Sequence, residues 1–367
     1  MFIHQLKEWP SFTWNYAILF STLGNVRNLQ GRLMGRMENL GFALRNEALL
    51  ETLTLEVLKS TEIEGEFLNP EQVRSSIARR LGMDIGGLIA TDRNVEGMVD
   101  LMMDATQNFN IPLSSDRLFD WHAALFPTGR SSLFKITVAN WRDDSNGPMQ
   151  VVSGPMGKEI IHFEAPESSR VSKEMEVFIH WFNSNNQVEP VIKAAIGHLW
   201  FVTIHPFDDG NGRIARALAD MLLARSDGSH QRFYSMSAQI KKERKSYYSI
   251  LERTQKGDLD ITEWLLWFLN CLSNALNSSD SLLARVLNKA AFWKQHATTI
   301  FNIRQQVMIN KLLDGFVGKL TSSKWGKIVK CSQDTALRDI QDLINKDVLR
   351  KESSGGRSTN YELLLKN

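Results

Sequence analysis

Apolar residues recur at intervals of three and four positions over most of this chain, and that spacing restricts it to a mainly helical fold. The segment 46–65 shows the pattern and ends at Gly65, a residue favoured just beyond a helix. The segment 69–82 begins with Asn69 as a cap and Pro70 in the first turn, which predicts a second helix. The same spacing predicts further helices over 92–109, 114–127, 170–185, 190–207 and 213–225.

Two regions depart from this spacing. Between positions 141 and 166, short β-branched runs at 151–152 and 160–163 lie on either side of Gly154-Pro155, which predicts an exposed β-hairpin. Residues 332–365 are ordered as a helix, a short strand, a Gly-rich turn and a second strand. That order resembles the second half of a winged helix-turn-helix.

Length and composition exclude several classes of protein. The 367 residues, 43% of them hydrophobic, are enough for two or three domains, and a net charge of +2 gives no overall bias toward nucleic acid. The two distant cysteines, Cys271 and Cys331, favour a reducing compartment without a disulfide framework. The start lacks a signal-peptide pattern, and the longest apolar stretch, 264–272, is about half a membrane span. We therefore expect a soluble cytoplasmic protein with no membrane partner.

The segment 205–216, HPFDDGNGRIAR, combines a base, two acids, a Gly-Asn-Gly and two arginines between predicted helices. Gly210 and Gly212 allow a sharp turn into the second helix, whose first N–H groups are unpaired and carry the positive end of the helix dipole. This arrangement favours phosphate binding. Arg213 and Arg216, three positions apart, can both contact phosphate oxygens.

The remaining polar residues of this segment fit the same ligand. Two adjacent acids would repel a polyphosphate unless a divalent cation intervenes, so Asp208 or Asp209 is a candidate Mg²⁺ ligand. Asn211 can donate a hydrogen bond to a phosphate oxygen, and His205 can accept the proton of an attacking hydroxyl. Each feature alone is more often structural, but their combination favours a nucleotide site. It is not a Walker loop, because the sequence has no G-x-x-x-x-G-K-[ST].

These twelve residues resemble the signature H-P-F-x-[DE]-G-N-G-R-x-x-R of the Fic family, with every fixed position present. The resemblance implies a helical core that transfers AMP from ATP to a Ser, Thr or Tyr hydroxyl of a protein, the enzyme itself included. It implies His205 as the general base and Asp209 as the Mg²⁺ ligand, with Asp208 at the variable position.

The same resemblance assigns the phosphate contacts. Gly210, Asn211 and Gly212 would cradle the phosphates, Arg213 would contact the inner phosphates, and Arg216 would contact the γ-phosphate. Kinase-like relatives carry a bulkier residue at the position of Gly212 and bind the nucleotide in the reverse sense. Gly212 therefore favours nucleotidyl transfer.

Two more regions match parts of the family. The predicted hairpin lies where the family has its flap, so a target protein would dock along 151–163 by strand addition. The nucleotide-side strand of the flap would carry Val151, Val152 and Ser153. The segment 246–258 resembles the adenosine-side helix, with Tyr247 and Tyr248 near base and ribose. Packing in the core remains the alternative for this tyrosine pair.

Ser60, Glu64 and Gly65 match [ST]-x-x-x-E-[GN], the inhibitory motif of regulated Fic proteins, here placed before the catalytic core. A carboxylate at a helix C-terminus is disfavoured by the dipole, so we expect Glu64 to pair with Arg216. The pair would occupy the arginine that holds the γ-phosphate and misalign ATP. The alternative is an ordinary surface acid. Glu64 could also orient water, which leaves a mainly AMP-removing enzyme as a second hypothesis.

From the resemblance we predict three parts. Residues 1–90 would form an N-terminal helical extension carrying the inhibitory helix, residues 91–280 the Fic catalytic core, and residues 281–367 a helical linker and a winged-helix domain. We expect the aromatic cluster of the extension to anchor it onto the core. That cluster is Trp9, Phe12, Trp14 and Tyr16.

The C-terminal segment 321–367 holds nine Lys and Arg against six Asp and Glu. Its would-be recognition helix, 333–346, is expected to expose Asp334, Asp339 and Asp342, which would oppose phosphate contacts. We therefore favour a protein-interaction or dimerisation module over DNA binding, and the resemblance makes a homodimer plausible. A DNA-binding regulator with a nucleotide-sensing Fic site, and a Fic enzyme that uses UTP or GTP, remain alternatives. The target protein and its modified residue stay open.

Overall fold

The structure is a computed structural model that describes residues 1–83, 88–145, 147–154, 158, 160–185, 187–316, 318–352 and 359–364. The chain separates into two compact units. One contains Met1–Met83 and Ile89–Ser279, and the other contains Asp84–Leu88 and Asp280–Asn367. Helices dominate both units, so the mainly α fold predicted from the apolar spacing is confirmed.

The described part of the first unit has ten α-helices, a short 3₁₀ helix (Ile3–Gln5) and two β-hairpins, and one further α-helix includes residues of both units. The helices are α1 (Tyr16–Glu38), α2 (Phe42–Ile63), α3 (Pro70–Arg80), α4 (Arg93–Gln107), α5 (Ser115–Leu125), α6 (Ser168–Asn183), α7 (Pro190–Ile204), α8 (Asn211–Asp227), α9 (Met236–Lys242), α10 (Arg244–Gln255) and α11 (Thr262–Gln295). The hairpin strands are β1 (Arg130–Ser131) with β2 (Phe134–Lys135), and β3 (Gln150–Ser153) with β4 (Ile160–Glu164).

Helix ends follow the predicted capping signals. The Asn69 side chain accepts hydrogen bonds from Glu71 N at 2.9 Å and Gln72 N at 3.2 Å, and Pro70 opens α3. Gly65, just after α2, has a φ of +87°, a conformation that glycine adopts without strain. Helix α2 starts at Phe42, four residues before position 46, where the apolar spacing indicates its start.

The core of this unit is centred on α7 and α8, which pack against each other. Almost every residue of α7 is buried, as expected of a helix that is apolar on all sides. Helix α4 packs on both α8 and α5. A Cβ atom built on Gly97 of α4 would lie 1.8 Å from the carbonyl oxygen of Ala124, so only glycine allows this approach of α4 and α5.

Two of the four N-terminal aromatic residues contact the core as expected. The rings of Trp9 and Phe12 pack edge-on against Trp200 of α7, with centroids 6.3 Å and 5.8 Å away. Trp9 also donates to the carboxylate of Glu174 at 2.8 Å. Tyr16, in contrast, is exposed at the start of α1.

The hairpin predicted between 141 and 166 is formed by β3 and β4, and we call these two strands the flap. Val151 lies opposite Phe163, and the register shifts by a bulge between Val151 and Val152. Phe163 is buried, whereas Val151 and Val152 are exposed. The predicted turn residues 155–157 lie outside the described residues.

The second unit has its own apolar core around Trp325, Met308 and Ile340. Its elements are α12 (Ile303–Leu313), α13 (Ser322–Ile328), α14 (Gln333–Asn345), β5 (Leu349–Lys351) and β6 (Tyr361–Leu363). The two strands are antiparallel, and Leu320 forms an additional bridge to Tyr361. The expected order of helix and strands is observed, the Gly-rich turn 353–358 lies outside the described residues, and the winged-helix assignment stays a prediction.

One expectation for this unit is wrong. Asp339 of α14 is not exposed but 4% accessible, because Arg304 Nε donates to it at 2.7 Å and Asn302 at 2.9 Å. Asp334 is exposed as expected, and Asp342 is partly exposed. The acidic surface expected on this helix is therefore smaller than the sequence indicates.

No helix of the described residues combines the length and apolar character needed to cross a membrane. The apolar stretch 264–272 belongs to α11, and its apolar side chains are used in packing. Those buried in the core include Trp264, Leu265, Phe268, Leu269 and Cys271.

Candidate active site

The loop 205–210 joins the two central helices and carries the predicted base and acids. His205 ends α7 in a left-handed conformation, with φ of 52° and ψ of 58°, and Gly210 precedes α8 with a φ of 82°. The Asn211 side chain is buried and bonds both backbone groups of Phe207, accepting from N at 3.0 Å and donating to O at 2.7 Å. These contacts use the side-chain oxygen and one amide N–H of Asn211 to close the loop, and the expected contact of this amide with a phosphate stays a prediction.

The His205 ring is oriented for proton abstraction. Its Nδ1 donates to the carbonyl oxygen of Val202 at 3.2 Å, which leaves Nε2 as the acceptor. Burial, together with the nearby Arg142 charge, lowers the pKa of His205 to about 4. The Val202 bond and the carboxylates of Asp209 and Glu64 act in the opposite direction. The imidazole is therefore neutral at pH 7.

Two buried arginines border the first turn of α8. Arg213 and Arg216 are 4% and 2% accessible. Within the described part of the chain, Arg213 Nε and Arg216 Nη1 have no hydrogen-bond partner. Unpaired buried donors are costly, so they indicate where a ligand with acceptor oxygens would bind. Together with the free N–H groups of the helix terminus, they form an anion site.

The residues of the predicted inhibitory motif lie at this site. Glu64 caps the C-terminus of α2, and its Oε1 is 2.7 Å from Arg216 Nη2, so the expected ion pair is present. Ser60 adds two contacts, accepting from Arg216 Nε through Oγ at 2.9 Å and from Nη2 through its carbonyl oxygen at 2.8 Å. A Cβ atom on Gly212 would lie 2.2 Å from Glu64 Oε1. The carboxylate therefore occupies the space that this glycine leaves open.

A second acid on the same segment pairs with the second arginine, and sequence analysis missed it. Glu66 Oε2 lies 2.8 Å from Arg213 Nη1, with the Arg213 side chain 5% and the Glu66 side chain 49% accessible. Arg213 also lies over the ring of Phe126 at 5.0 Å. The sequence feature that could have indicated this pair is an acid just beyond the turn at Gly65. The turn lets the carboxylates of Glu64 and Glu66 both face α8.

The two adjacent acids of the loop have different surroundings. Asp208 Oδ2 accepts from Thr137 N at 2.8 Å. Asp209 accepts from Gly210 N at 2.6 Å and from the Ser131 hydroxyl, and its side chain is 42% accessible. The described residues contain no group of three or more candidate ligands. A single exposed carboxylate fits Mg²⁺, which is held by one or two carboxylates together with substrate phosphates and waters.

The tyrosine pair on α10 divides into two roles. Tyr247 is buried, its hydroxyl is 2.8 Å from His198 Nε2, and its ring packs near Trp264 and Trp267. The alternative of core packing therefore describes Tyr247, and burial raises its pKa. Tyr248 is exposed, and its hydroxyl donates to Glu64 Oε2 at 3.5 Å. Both hydroxyls lie at the edge of the anion site: the Tyr247 hydroxyl contacts Arg216, and the Tyr248 hydroxyl contacts Glu64.

The flap is tied to the same helix by a chain of polar contacts. Ser153 Oγ lies 2.6 Å from His162 Nε2, and His162 Nδ1 lies 2.9 Å from Glu252 Oε2 of α10. Val151 and Val152, which precede Ser153 on β3, remain exposed. The flap thus has a free apolar surface and a fixed attachment to the wall of the site.

Two buried side chains that no motif contains hold the loop in place. His122 of α5 accepts from Ala139 N at 3.3 Å through Nδ1, so its Nε2–H donates to the carbonyl oxygen of Asp209 at 3.2 Å. Burial lowers the pKa of His122 to about 4 and keeps it neutral. Arg142 donates from Nε to the carbonyl oxygen of His205 at 2.7 Å. Both lie more than sixty positions from the loop residue they hold.

Two family profiles match the chain, both within the first compact unit. The Fic/DOC family profile matches residues 112–223, and a domain of unknown function, DUF4172, matches residues 2–83. Protein adenylyltransferase Fic of Drosophila grimshawi is 36% identical over 105 residues, which are 28% of this chain and 20% of that protein. Protein adenylyltransferase fic-1 of Caenorhabditis elegans is 26% identical over 248 residues, 64% of this chain and 45% of that protein. The chain thus spans less than half the length of these curated relatives.

Solved structures share the fold. A Fic family protein from Desulfovibrio desulfuricans G20 superposes with a TM-score of 0.57 at 20% identity and covers 98% of this chain and 99% of its own. A Fic domain containing signaling protein from Bacteroides thetaiotaomicron VPI-5482 gives 0.51 at 20% identity, over 72% of this chain and 97% of its own. The profile match confirms the predicted family for one region: residues 112–223, which include the intact HPFDDGNGRIAR loop, form a Fic/DOC family domain.

Proposed function

We propose that this chain is a protein adenylyltransferase that transfers AMP from ATP to a Ser, Thr or Tyr hydroxyl of a target protein, itself included. The observation that carries the proposal is the pair of unpaired buried donors, Arg213 Nε and Arg216 Nη1, at the N-terminus of the helix that follows His205. The names of the Drosophila and Caenorhabditis relatives support the same activity.

In the proposed reaction, His205 Nε2 takes the proton of the acceptor hydroxyl, and the hydroxyl oxygen attacks the α-phosphorus of ATP. The bond from the α-phosphorus to the oxygen bridging the β-phosphorus breaks, and pyrophosphate leaves with the electron pair. The helix terminus and the two arginines stabilise the phosphate charge because they are oriented before the substrate binds. Asp209 would hold Mg²⁺, which supplies further charge neutralisation when it arrives with the nucleotide.

The flap offers the docking site for the acceptor. Val151 and Val152 are exposed on β3, so an extended segment of the target can add to this hairpin through backbone hydrogen bonds. Ser153, Val151 and Val152 would then lie between target and nucleotide, with Tyr248 on the adenosine side. Recognition of this kind depends on backbone more than on side-chain identity.

We also propose that the conformation described here is inhibited. Glu64 occupies Arg216 and the open space at Gly212, which the γ-phosphate would otherwise use. The Glu64 carboxylate is partly exposed, so it can leave when the α2 terminus moves. An inhibition of a hundredfold needs a preference of about 2.7 kcal/mol for this state, within the range measured for buried charge pairs.

Replacement of Glu64 tests both proposals. We expect Glu64→Gly to increase the label transferred from α-³²P-ATP to protein, and His205→Ala to abolish that label in the same background. Glu62→Gly is the matched control, because Glu62 pairs with Lys59 and not with the arginines of α8. Equal label in Glu64→Gly and wild type would contradict the inhibition. Absence of label in every variant would contradict the transferase, and label from UTP or GTP alone would change the substrate.

A second candidate activity is the removal of AMP from a modified protein. Glu64 Oε2 is 3.5 Å from the Tyr248 hydroxyl at the edge of the anion site, where a carboxylate can orient an attacking water. This activity predicts release of AMP from a pre-modified protein by wild type but not by Glu64→Gly. Retention of the release in Glu64→Gly would contradict it.

A further inference from the structure

Arg142 is a buried arginine that lies beneath the catalytic loop and outside every motif. Its side chain is fully buried, and its guanidinium contacts three partners in separate parts of the chain. Nε donates to the carbonyl oxygen of His205 at 2.7 Å, Nη1 donates to Asp144 Oδ1 at 2.9 Å, and Nη2 donates to the carbonyl oxygen of Pro166. The Arg142 backbone N–H also donates to Pro206 O at 2.9 Å.

These contacts are not those of an ordinary buried ion pair. Only one of the three partners carries a charge, although burying a guanidinium is costly. The planar guanidinium presents its donors in fixed directions, so it holds two backbone carbonyls at a set separation. Asp144 fixes the third direction, and its other oxygen accepts from Ser168 N at the start of α6, at 2.7 Å.

One of the held carbonyls belongs to the general base. His205 adopts a left-handed conformation, which strains a non-glycine residue and persists only where the surroundings enforce it. The ring is held by Val202 and the carbonyl by Arg142. The direction of Nε2 is therefore set by contacts on both sides of the residue.

The other held carbonyl belongs to the base of the flap. Pro166 follows β4 by two residues, and the intervening Ala165 N donates to Met149 O at 2.9 Å, just before β3. Arg142 therefore contacts the end of the hairpin that would dock the acceptor. A target strand added to this flap advances by about 3.3 Å per residue. A general base must lie within about 2.6–3.2 Å, between heavy atoms, of the hydroxyl whose proton it takes. The flap must therefore be held at a fixed distance from His205.

We propose that Arg142 is a positioning residue for the transfer reaction: it sets the distance between the flap and His205, so that a hydroxyl presented by the flap reaches Nε2. This inference rests on the proposed transferase function. The Arg142 side chain bonds His205, Asp144 and Pro166 in the described structure, and these contacts do not involve the phosphate-site arginines of α8. Its loss should therefore affect acceptor transfer and leave nucleotide binding intact.

Arg142→Lys tests the inference in the Glu64→Gly background. Lysine keeps the charge but cannot hold both carbonyls, and a displacement of about 1 Å at a catalytic group can cost about a hundredfold in rate. We expect transfer of ³²P-AMP to a His205→Ala copy of the chain to fall at least tenfold, with the Kd of ATP-Mg²⁺ within twofold of the parent. The control is Arg225→Lys, because Arg225 likewise donates to backbone carbonyls, those of Phe109, Ile111 and Phe182.

Arg142→Gln adds a readout that a purely structural role would not change. The charges that act on His205 are Arg142, which lowers its pKa, and Asp209 and Glu64, which raise it. Removing the Arg142 charge should raise the pKa of His205, so the acidic limb of the pH–rate profile should move to higher pH. Arg142→Lys keeps the charge, so it should lower the rate and leave the acidic limb at the same pH. If Arg142→Gln does not fold, Asp144→Asn, which loosens the guanidinium without removing it, should give a smaller loss of transfer at unchanged ATP affinity.

Three outcomes would overturn the inference. Transfer by Arg142→Lys at the parent rate would show that the guanidinium does not set the geometry. A parallel loss of ATP binding, or a loss of transfer matched by Arg225→Lys, would show a general structural role. A Glu64→Gly parent without any transfer would instead contradict the proposed function, and the inference would fall with it.

Discussion

Replacing Glu66 by Gln should tighten ATP binding, because nucleotide and Glu66 compete for Arg213. The change keeps the size of the side chain and removes the charge that faces Arg213 Nη1 at 2.8 Å. Exposed ion pairs contribute about 0.2–1 kcal/mol, and bonds to charged groups somewhat more. Arg213 is buried but Glu66 is half exposed, so about 1 kcal/mol is a reasonable value. The Kd for ATP-Mg²⁺ should therefore fall about fivefold.

Titration calorimetry with ATP-Mg²⁺ measures this directly and does not depend on transfer. We expect Glu66→Gln to change Kd more than the rate, and Glu64→Gly to change the rate more than Kd, because the two acids pair with different arginines. The gain from Glu66→Gln should shrink at high salt, since a half-exposed pair is screened. A double variant shows whether the two contacts act together.

The control for net charge is Glu62→Gln, which removes one charge from the same segment but contacts Lys59 rather than α8. An equal gain in affinity for Glu62→Gln and Glu66→Gln would refute the reasoning, because the effect would then be general electrostatics. So would an unchanged Kd in Glu66→Gln, since Arg213 would then not be needed by the nucleotide.

Two further predictions follow from burial and close packing. Gly97→Ala should destabilise the fold by roughly 1–3 kcal/mol and so lower the melting temperature, because the new Cβ would meet the Ala124 carbonyl oxygen at 1.8 Å and backbone cannot yield easily. Thermal denaturation beside Gly24→Ala, which meets nothing within 4 Å, checks this, and equal melting temperatures would contradict it. The activity of Glu64→Gly should persist well below pH 6.5 and decline toward pH 4, because the lowered pKa keeps His205 neutral and able to accept a proton. A rate that halves near pH 6.5 would show that the base is not buried as described.

The parts of the fold that depend on local sequence could be predicted. The capping of α3 by Asn69 and the end of α2 near Gly65 depend on residues within one turn, so their signals are readable in the chain. The candidate site could be located because its base, acids, glycines and arginines are consecutive. The pairing of Glu64 with Arg216 was expected from a motif, and the ion pair is present.

What could not be predicted depends on three-dimensional proximity. Arg142 meets His205 from 63 positions away, and nothing local marks a buried arginine that bonds carbonyls. The burial of Asp339 requires Arg304 from a different helix. Tyr247 and Tyr248 are adjacent in sequence and equal in type, and only the packing of α10 buries the first against His198 and leaves the second exposed.

The open space at Gly212 has a consequence for how such a protein can change over evolutionary time. Any side chain at this position would meet Glu64 Oε1, at 2.2 Å for the first carbon alone. A substitution at this position would therefore push the Glu64 carboxylate, the flexible end of its side chain, away from its place beside Arg216. If that carboxylate restrains activity as proposed, a lineage that changes this position changes the orientation of the nucleotide and the restraint in the same step.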